Sequence, residues 1–336
     1  MVSPMCEYSS EDGFANNWHL VHLGKFAAGG AALVVTEATA VSAEGRITYA
    51  DLGIYKDEHI IKLKEITGFI QQQGALAGIQ LAHAGRKASH EIPWKGGKQI
   101  PSIQTNGWKA LGPSAVPFTP AEEAPAELDN AGIAKVKADF KAAAIRAEKA
   151  GFDVIELHSA HGYLLHEFLS PLSNRRTDEY GGAFENRVRL LLEVVDVIKQ
   201  VWQKPLFVRI SATDWTEDGW AIAESVELSR LLKNKGVDLI DASSGGNIAD
   251  AQIPVGPGYQ VQFAEQIKKE AGIATGAVGM ITEPRQAEAI IATGQADLVI
   301  LAREFLRDPN FPLRAAHELD YTITWPVQYE RARWHK

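Results

Sequence analysis

The sequence predicts an α/β fold: a closed, single-domain barrel of eight parallel strands, each followed by a helix. Three observations predict it. Short apolar runs recur along the 336 residues: "VSPM", "ALVVTEA", "LAGIQLA", "FDVIELH", "LFVRIS", "VDLIDAS", "ATGAVGM" and "ADLVILA". Each is nearly continuously apolar, as a parallel strand buried on both faces must be, whereas antiparallel sandwich strands alternate. Amphipathic stretches separate the runs, and no G-x-G-x-x-G follows an early strand, since "GQADL" and "GGNIAD" lack that spacing. An open doubly wound sheet therefore loses its main signature. The length suits a (β/α)8, or TIM, barrel, for which about 250 residues plus insertions is typical.

The elements follow in chain order. "VSPM" opens the series, and the second and third runs end at Ala38 and Ala82. In "GIAKVKADFKAAAIRAEKAG", Ile133, Val136, Phe140, Ala144 and Ala147 recur at spacings of three and four opposite a lysine-rich face, which predicts an amphipathic helix ended by Gly151. Similar signals predict helices over 184–202, 221–235, 260–271 and 284–294, the last with Pro284 where a first turn accepts it. Two insertions interrupt the spacing. Residues 88–129 are rich in Pro, Gly and Trp and far exceed ordinary loop length, which predicts a lid. Residues 163–183 add a short apolar helix and "SNRRTDEYGG". Both follow the carboxyl end of a strand, the face on which such barrels build their sites.

Composition narrows the function. A net charge of −8 offers no general attraction to nucleic acid or an anionic membrane. One cysteine, Cys6, cannot make an internal disulfide, a four-thiolate zinc site or a cysteine-ligated iron–sulfur cluster, so a reducing compartment, the cytoplasm by default, is expected. The longest apolar stretch, "AAGGAALVV", is too short to span a bilayer.

The chemistry concentrates at strand ends. His158 stands at the tip of the fourth run, with His161 and Tyr163 just beyond. A histidine pair could serve a metal, with Glu156 and Asp241 as further ligands, or could be structural. A third reading fits the tyrosine better: imidazoles holding a carbonyl or nitro oxygen while a phenol donates a proton, in chemistry that builds negative charge on that oxygen. Gln80 lies in the third run, Arg209 in the fifth, glycine turns follow at 243–246 and 276–280, and Arg303 closes the eighth. Glycines and an arginine after the last strands match the phosphate site of many barrels, unless Gly276 and Gly279 merely relieve crowding.

The runs "SPMCEYSSEDG", "EATAVSAEGRIT", "GIQLAHAGRKAS", "HSAHGYLLHEFLSPLSNRRTDEYGG", "GAVGMIT" and "PVQYER" resemble the Old Yellow Enzyme family, more narrowly its YqjM-like, thermophilic-like ene-reductases. The resemblance implies an FMN-containing barrel that takes hydride from NADPH or NADH and passes it to the β-carbon of an activated alkene such as an enone, maleimide or nitroalkene. It places FMN against Ser3, Pro4, Met5, Cys6, Ala38, Gln80 and Arg209, with the phosphate near Gly245, Gly279, Ala302 and Arg303. It gives His158 and His161 the substrate's activating oxygen, Tyr163 the proton for the α-carbon, Tyr8 a positioning role, and Cys6 a place beside the flavin, tuning its potential. An arginine about 4 Å from the anionic reduced flavin, at an effective dielectric near 20, is worth roughly 4 kcal/mol before desolvation.

The resemblance also implies a homodimer or homotetramer in which the tail, residues 325–336, carries Arg331 into a neighbouring subunit's site. It implies an N-terminal hairpin ahead of "VSPM" that is absent here, and a glycine where this chain has Ala302. No resident metal is expected. Rival readings are a metal-dependent barrel lyase or hydrolase using the histidine pair and a catalytically weak flavin-binding protein; iron–sulfur relatives of the dienoyl-CoA reductase or amine dehydrogenase type need cysteines this chain lacks.

Overall fold

In a computed structural model, which describes residues 1–334, the apolar runs form one curled parallel sheet. In chain order the strands are β1 (Leu33–Ala40), β2 (Leu76–Ala82), the two-residue β3 (Leu111–Gly112) and β4 (Ala126–Glu127), β5 (Val154–Ser159), β6 (Leu206–Ser211), β7 (Leu239–Ser243), β8 (Ala274–Ala277) and β9 (Leu298–Val299). The sheet runs β1-β2-β5-β6-β7-β8-β9, and β3 pairs with β4 apart from it. The run "VSPM" becomes a single bridging residue rather than a strand: Val2 bridges Val34 on one side and Leu301 on the other, which closes the ring. Pro4 has no N–H for a longer ladder. "ATGAVGM" stops at Ala277 because Gly279 (φ +120°) and Met280 (φ +50°) turn the chain away.

Helices pack outside. Asp129 caps Asn130–Lys149 by accepting from the Gly132 N–H, and Ile133, Val136, Phe140, Ala144 and Ala147 are buried as the periodicity predicts. The helix predicted over 184–202 divides into Phe184–Arg187 and Arg189–Lys199. The division follows Arg187, whose guanidinium turns inward to the Leu169 carbonyl and Glu224. Two helices the sequence leaves unassigned, Asn17–Ala28 and His59–Gln72, cover β1 and β2. Ile222–Asn234, Val261–Ala271 and Pro284–Ala292 complete the outer ring where predicted.

Residues 88–129 form a wall with little regular structure. It is tied down where His90 N–H donates to the Ile47 carbonyl (2.8 Å) and Trp108 Nε1 to the Glu44 carbonyl (2.9 Å). The tail contains a 3-10 helix, Val327–Ala332, and the last two residues of the 325–336 segment lie outside the described residues. Among the described residues no helix is long and apolar enough to cross a membrane.

Alternation along the strands stratifies the barrel interior. The floor is an apolar cluster of Met1, Leu33, Val35 and Val154, with Phe207 and Leu298 packed against it, and Val278 and Ile300 extend it to the carboxyl ends of β8 and β9. Above it the inward positions turn polar: Gln80 pairs in register with Glu156, and Arg209 with Asp241. His158, in register with Arg209, leads to the mouth.

Candidate functional site

Three aromatic rings meet at the carboxyl end of β5. The His158 ring lies edge-on to His161 (centroids 5.1 Å apart) and to Tyr163 (4.8 Å). The Ala160 N–H donates to His158 Nδ1 (3.2 Å), so neutral His158 carries its proton on Nε2. Burial, with the Arg209 charge behind it, holds both histidines well below their ordinary range, which keeps them neutral. His161 Nε2 lies 2.7 Å from Ser243 Oγ, and its N–H donates to Ser211 Oγ. Tyr163 has no hydrogen-bond partner for its hydroxyl among the described residues, and burial, then the proximity of Cys6 and Asp51, pushes the phenol well above its usual value.

The backbone is unusual here. His161 (φ +58°), Tyr8 (φ +46°) and Met280 (φ +50°) all occupy the left-handed region, which non-glycine residues avoid unless their surroundings force it. Gly162 (φ +72°) and Gly246 (φ +87°) touch back to back: a Cβ on Gly162 would collide with the Gly246 carbonyl, and one on Gly246 would lie 2.6 Å from His161 Cα. Lys87 clasps the same junction, donating to the carbonyls of His161 (2.8 Å) and Gly246.

Beneath lies a buried polar support. His166 Nδ1 accepts from the Gly162 N–H, and its Nε2 lies 3.2 Å from Asp214 Oδ1. Burial opposes ionisation of Asp214, yet His166, Ser170 and the Trp220 N–H together hold its carboxyl at about 2. Arg86 donates to the Asn247 carbonyl and side chain, joining the segment after β2 to the loop after β7, and Glu167 accepts from the Arg86 N–H.

The expected site residues fall into groups. Ser3 accepts from Arg209 Nη1 (3.0 Å), and Gln80 donates to Glu156 (2.8 Å). Pro4, Met5 and Cys6 are half-buried, and burial pushes the Cys6 thiol up beside Tyr8 and the Ala38 backbone. Tyr163 and Ala38 line one small gap; Tyr163, Tyr8, Lys87 and Phe118 line a cavity of about 250 Å3 under the 88–129 wall, beside which Trp94 stands edge-on to Tyr8. Arg209, Gly279, Ala302 and Arg303 line another, of about 280 Å3, at the ends of β8 and β9. A larger cleft, about 660 Å3, is a separate surface feature lined by Asp12, Arg46 and Trp108 and by none of the histidine–tyrosine cluster.

Two expected residues stand apart. Gly245 packs toward Ile253 and Trp215 and does not line the Gly279–Arg303 cavity. Arg331 is exposed in the tail and lines neither cavity of its own chain. Ala302 has φ −111°, so its backbone does not demand the glycine of the resemblance. Glu156 and Asp241 bond within the barrel rather than joining the histidines, and among the described residues no cluster of three or more His, Cys, Asp or Glu is placed to hold a metal. Sequence reading missed Lys87, Ser243 and the His166–Asp214 support; the only signal was their position at or just past strand ends.

The NADH:flavin oxidoreductase / NADH oxidase family profile matches residues 1–321. A Geobacillus sp. (strain WCH70) protein named NADPH dehydrogenase is 50% identical over 333 residues, covering 98% of this chain and 93% of its own. Morphinone reductase superposes with a TM-score of 0.78 at 26% identity, over 97% of this chain and 86% of that one. A 2-naphthoyl-CoA reductase superposes with a TM-score of 0.85 at 24% identity; this chain, 94% covered, spans only about half (49%) of that chain, a likeness of fold alone.

Proposed function

The chain belongs to the NADH:flavin oxidoreductase / NADH oxidase family and is an NAD(P)H-dependent flavin oxidoreductase, and from that premise we propose that it is an FMN-dependent ene-reductase acting on activated alkenes. The residues present fit FMN on three observations. Arg303 borders the β8–β9 cavity with no ion-pair partner among the described residues, Gly279 and Met280 present left-handed backbone there, and a Cβ on Gly279 would come within 2.8 Å of Gln260 Nε2. Ser3, Gln80, Arg209, Gly279 and Arg303 are the residues to hold it, with Gly245 in the turn after β7. When bound, FMN accepts a hydride from NAD(P)H and delivers it to the alkene β-carbon.

The observation that carries the reading is a neutral His158, with its proton on Nε2, set 4.8 Å from an unpartnered phenol. Both imidazoles donate to the carbonyl or nitro oxygen on which charge develops, so they bind the transition state more tightly than the ground state. His161 exchanges its Ser243 contact for that oxygen. Tyr163 keeps its proton at neutral pH and gives it to the α-carbon, while Tyr8 and Phe118 bound the substrate and exclude water. A purified chain with a flavin spectrum that bleaches with NADPH under nitrogen and recovers on adding an enone is the expected result. A colourless folded chain, or NADPH oxidation indifferent to alkenes, removes the proposal.

The same reading includes a homodimer or homotetramer in which Arg331 serves a neighbouring site. Supporting it are the exposed apolar side chains of the tail, Val327 at 75%, Tyr329 at 48% and Trp334 at 46%. Deleting residues 326–336 is expected to lower alkene turnover and molecular mass in solution together; unchanged values for both reject the shared site.

A further inference from the structure

The proposed chemistry leaves two buried carboxyl groups unused. Glu156 on β5 and Asp241 on β7 are both 0% exposed and flank β6, whose Arg209 pairs in register with Asp241. Glu156 Oε1 accepts from Gln80 Nε2 (2.8 Å), and Asp241 Oδ2 lies 3.3 Å from Arg209 Nε. The remaining bonding is incomplete: Glu156 Oε2, Asp241 Oδ1 and Oδ2 and Arg209 Nε have no well-aligned partner among the described residues. Charge shows the same deficit, one guanidinium against two carboxylates. An unpaired buried carboxylate is far costlier than a protonated one, and two acids in contact share a proton rather than both ionising.

A proton on Glu156 supplies the missing donor toward Asp241 and leaves the layer neutral. The groups facing the pair are Gln80 from β2, Arg209 from β6, Ser3 bonded to Arg209, and neutral His158 one layer above on β5. Gly276 on β8 brings no side chain, and Val35 and Ile300 are apolar.

We propose that Glu156 and Asp241 form a one-proton acid pair behind Arg209 that tunes the charge this guanidinium presents, so that reduction of the cofactor draws a proton into the barrel. The inference rests on the FMN reading above. Two electrons and one proton reach the cofactor with the hydride, leaving one negative charge beside Arg209. That charge raises the proton affinity of the pair; where the pair is otherwise empty, one proton enters from solvent on reduction and leaves on reoxidation, and only a carboxyl O–H bond forms and breaks. Burial, then the neighbouring Asp241, push the Glu156 carboxyl up to about 8, so the exchange begins near that pH.

The test is the midpoint potential of the holoenzyme between about pH 6 and 10 in wild type and E156Q. One proton per two electrons gives a slope of about 30 mV per pH unit, and two give about 59, a tenfold change being 29.6 mV. Wild type is expected to steepen from the first slope to the second above about pH 8, and E156Q to keep the shallower slope throughout. In reduced-minus-oxidised infrared spectra above that pH, wild type gains a protonated-carboxyl band that E156Q lacks. A single wild-type slope, or the same steepening in E156Q, overturns the pair's role while the FMN reading stands. A chain that binds no FMN overturns both. If E156Q does not fold, the wild-type slope and D241N decide.

Discussion

The floor and the mouth of this barrel use the same strands and the same inward positions for opposite ends. Two residues below His158 on β5 is Glu156, and two below that is Val154, which belongs to an apolar cluster with Met1, Leu33 and Val35. At the floor the clustered side chains are apolar and find their partners by shape. At the mouth the side chains are imidazole, phenol, guanidinium and carboxyl, held by hydrogen bonds and left-handed backbone. The lower half makes the fold stable, and that stability holds costly groups such as Arg209, Asp241 and Asp214 out of water.

Substitutions break the comparison in order of size. Tyr163→Phe is expected to slow alkene reduction by about 10²- to 10⁴-fold while flavin content and its reduction by NADPH persist, measured by stopped-flow on the two half-reactions. A colourless variant would transfer the tyrosine to the cofactor's own site. At the floor, Leu33→Ala is expected to cost about 2–5 kcal/mol in urea denaturation, with turnover per folded molecule unchanged; a parallel fall in turnover would mean the two halves are not separable.

pH sharpens the contrast, because the floor cluster has no ionisable side chain and its one titratable group, the Met1 amino terminus, is lowered by burial to about 5. Burial pushes the Glu167 carboxyl up to about 8 from an ordinary 4.5. A raised pKa means the folded state holds the proton more tightly, so the stabilisation is complete below 4.5 and is lost as pH rises through about 8. Glu167→Gln should therefore gain on wild type across that window, by up to about 5 kcal/mol at 1.36 kcal/mol per unit, then level off. The Leu33→Ala penalty should stay the same from about pH 6 to 8, above the titration of the Met1 amino terminus. Smallest of all, Lys135→Ala, which removes exposed ion pairs to Glu44 and Asp139, should change stability by about 0–1 kcal/mol and diminish further in salt.

What was legible in the sequence follows the same division. Doubly buried strands read as unbroken apolar runs, so β1, β2 and β5 to β9 stand where such runs occur, and helices with a clean stripe, such as Asn130–Lys149, are equally plain. Asn17–Ala28 was hidden because it buries His19 and His22 while exposing Trp18 and Val21, which blurs its stripe. β3 and β4 have two residues each and show no period. His158, His161 and Tyr163 were visible because one short stretch contains all three. Lys87 reaches His161 across 74 positions and His161 reaches Ser243 across 82, so only the closed ring brings them together.

The interlocked glycines at 162 and 246 set a limit on how this scaffold can change. Neither accepts a side chain without driving one loop through the other, so the donors at the end of β5 stay where the main chain pins them. Any reshaping of the mouth therefore falls to the opposite bank, where Trp94 and Phe118 come from a long segment with little regular structure.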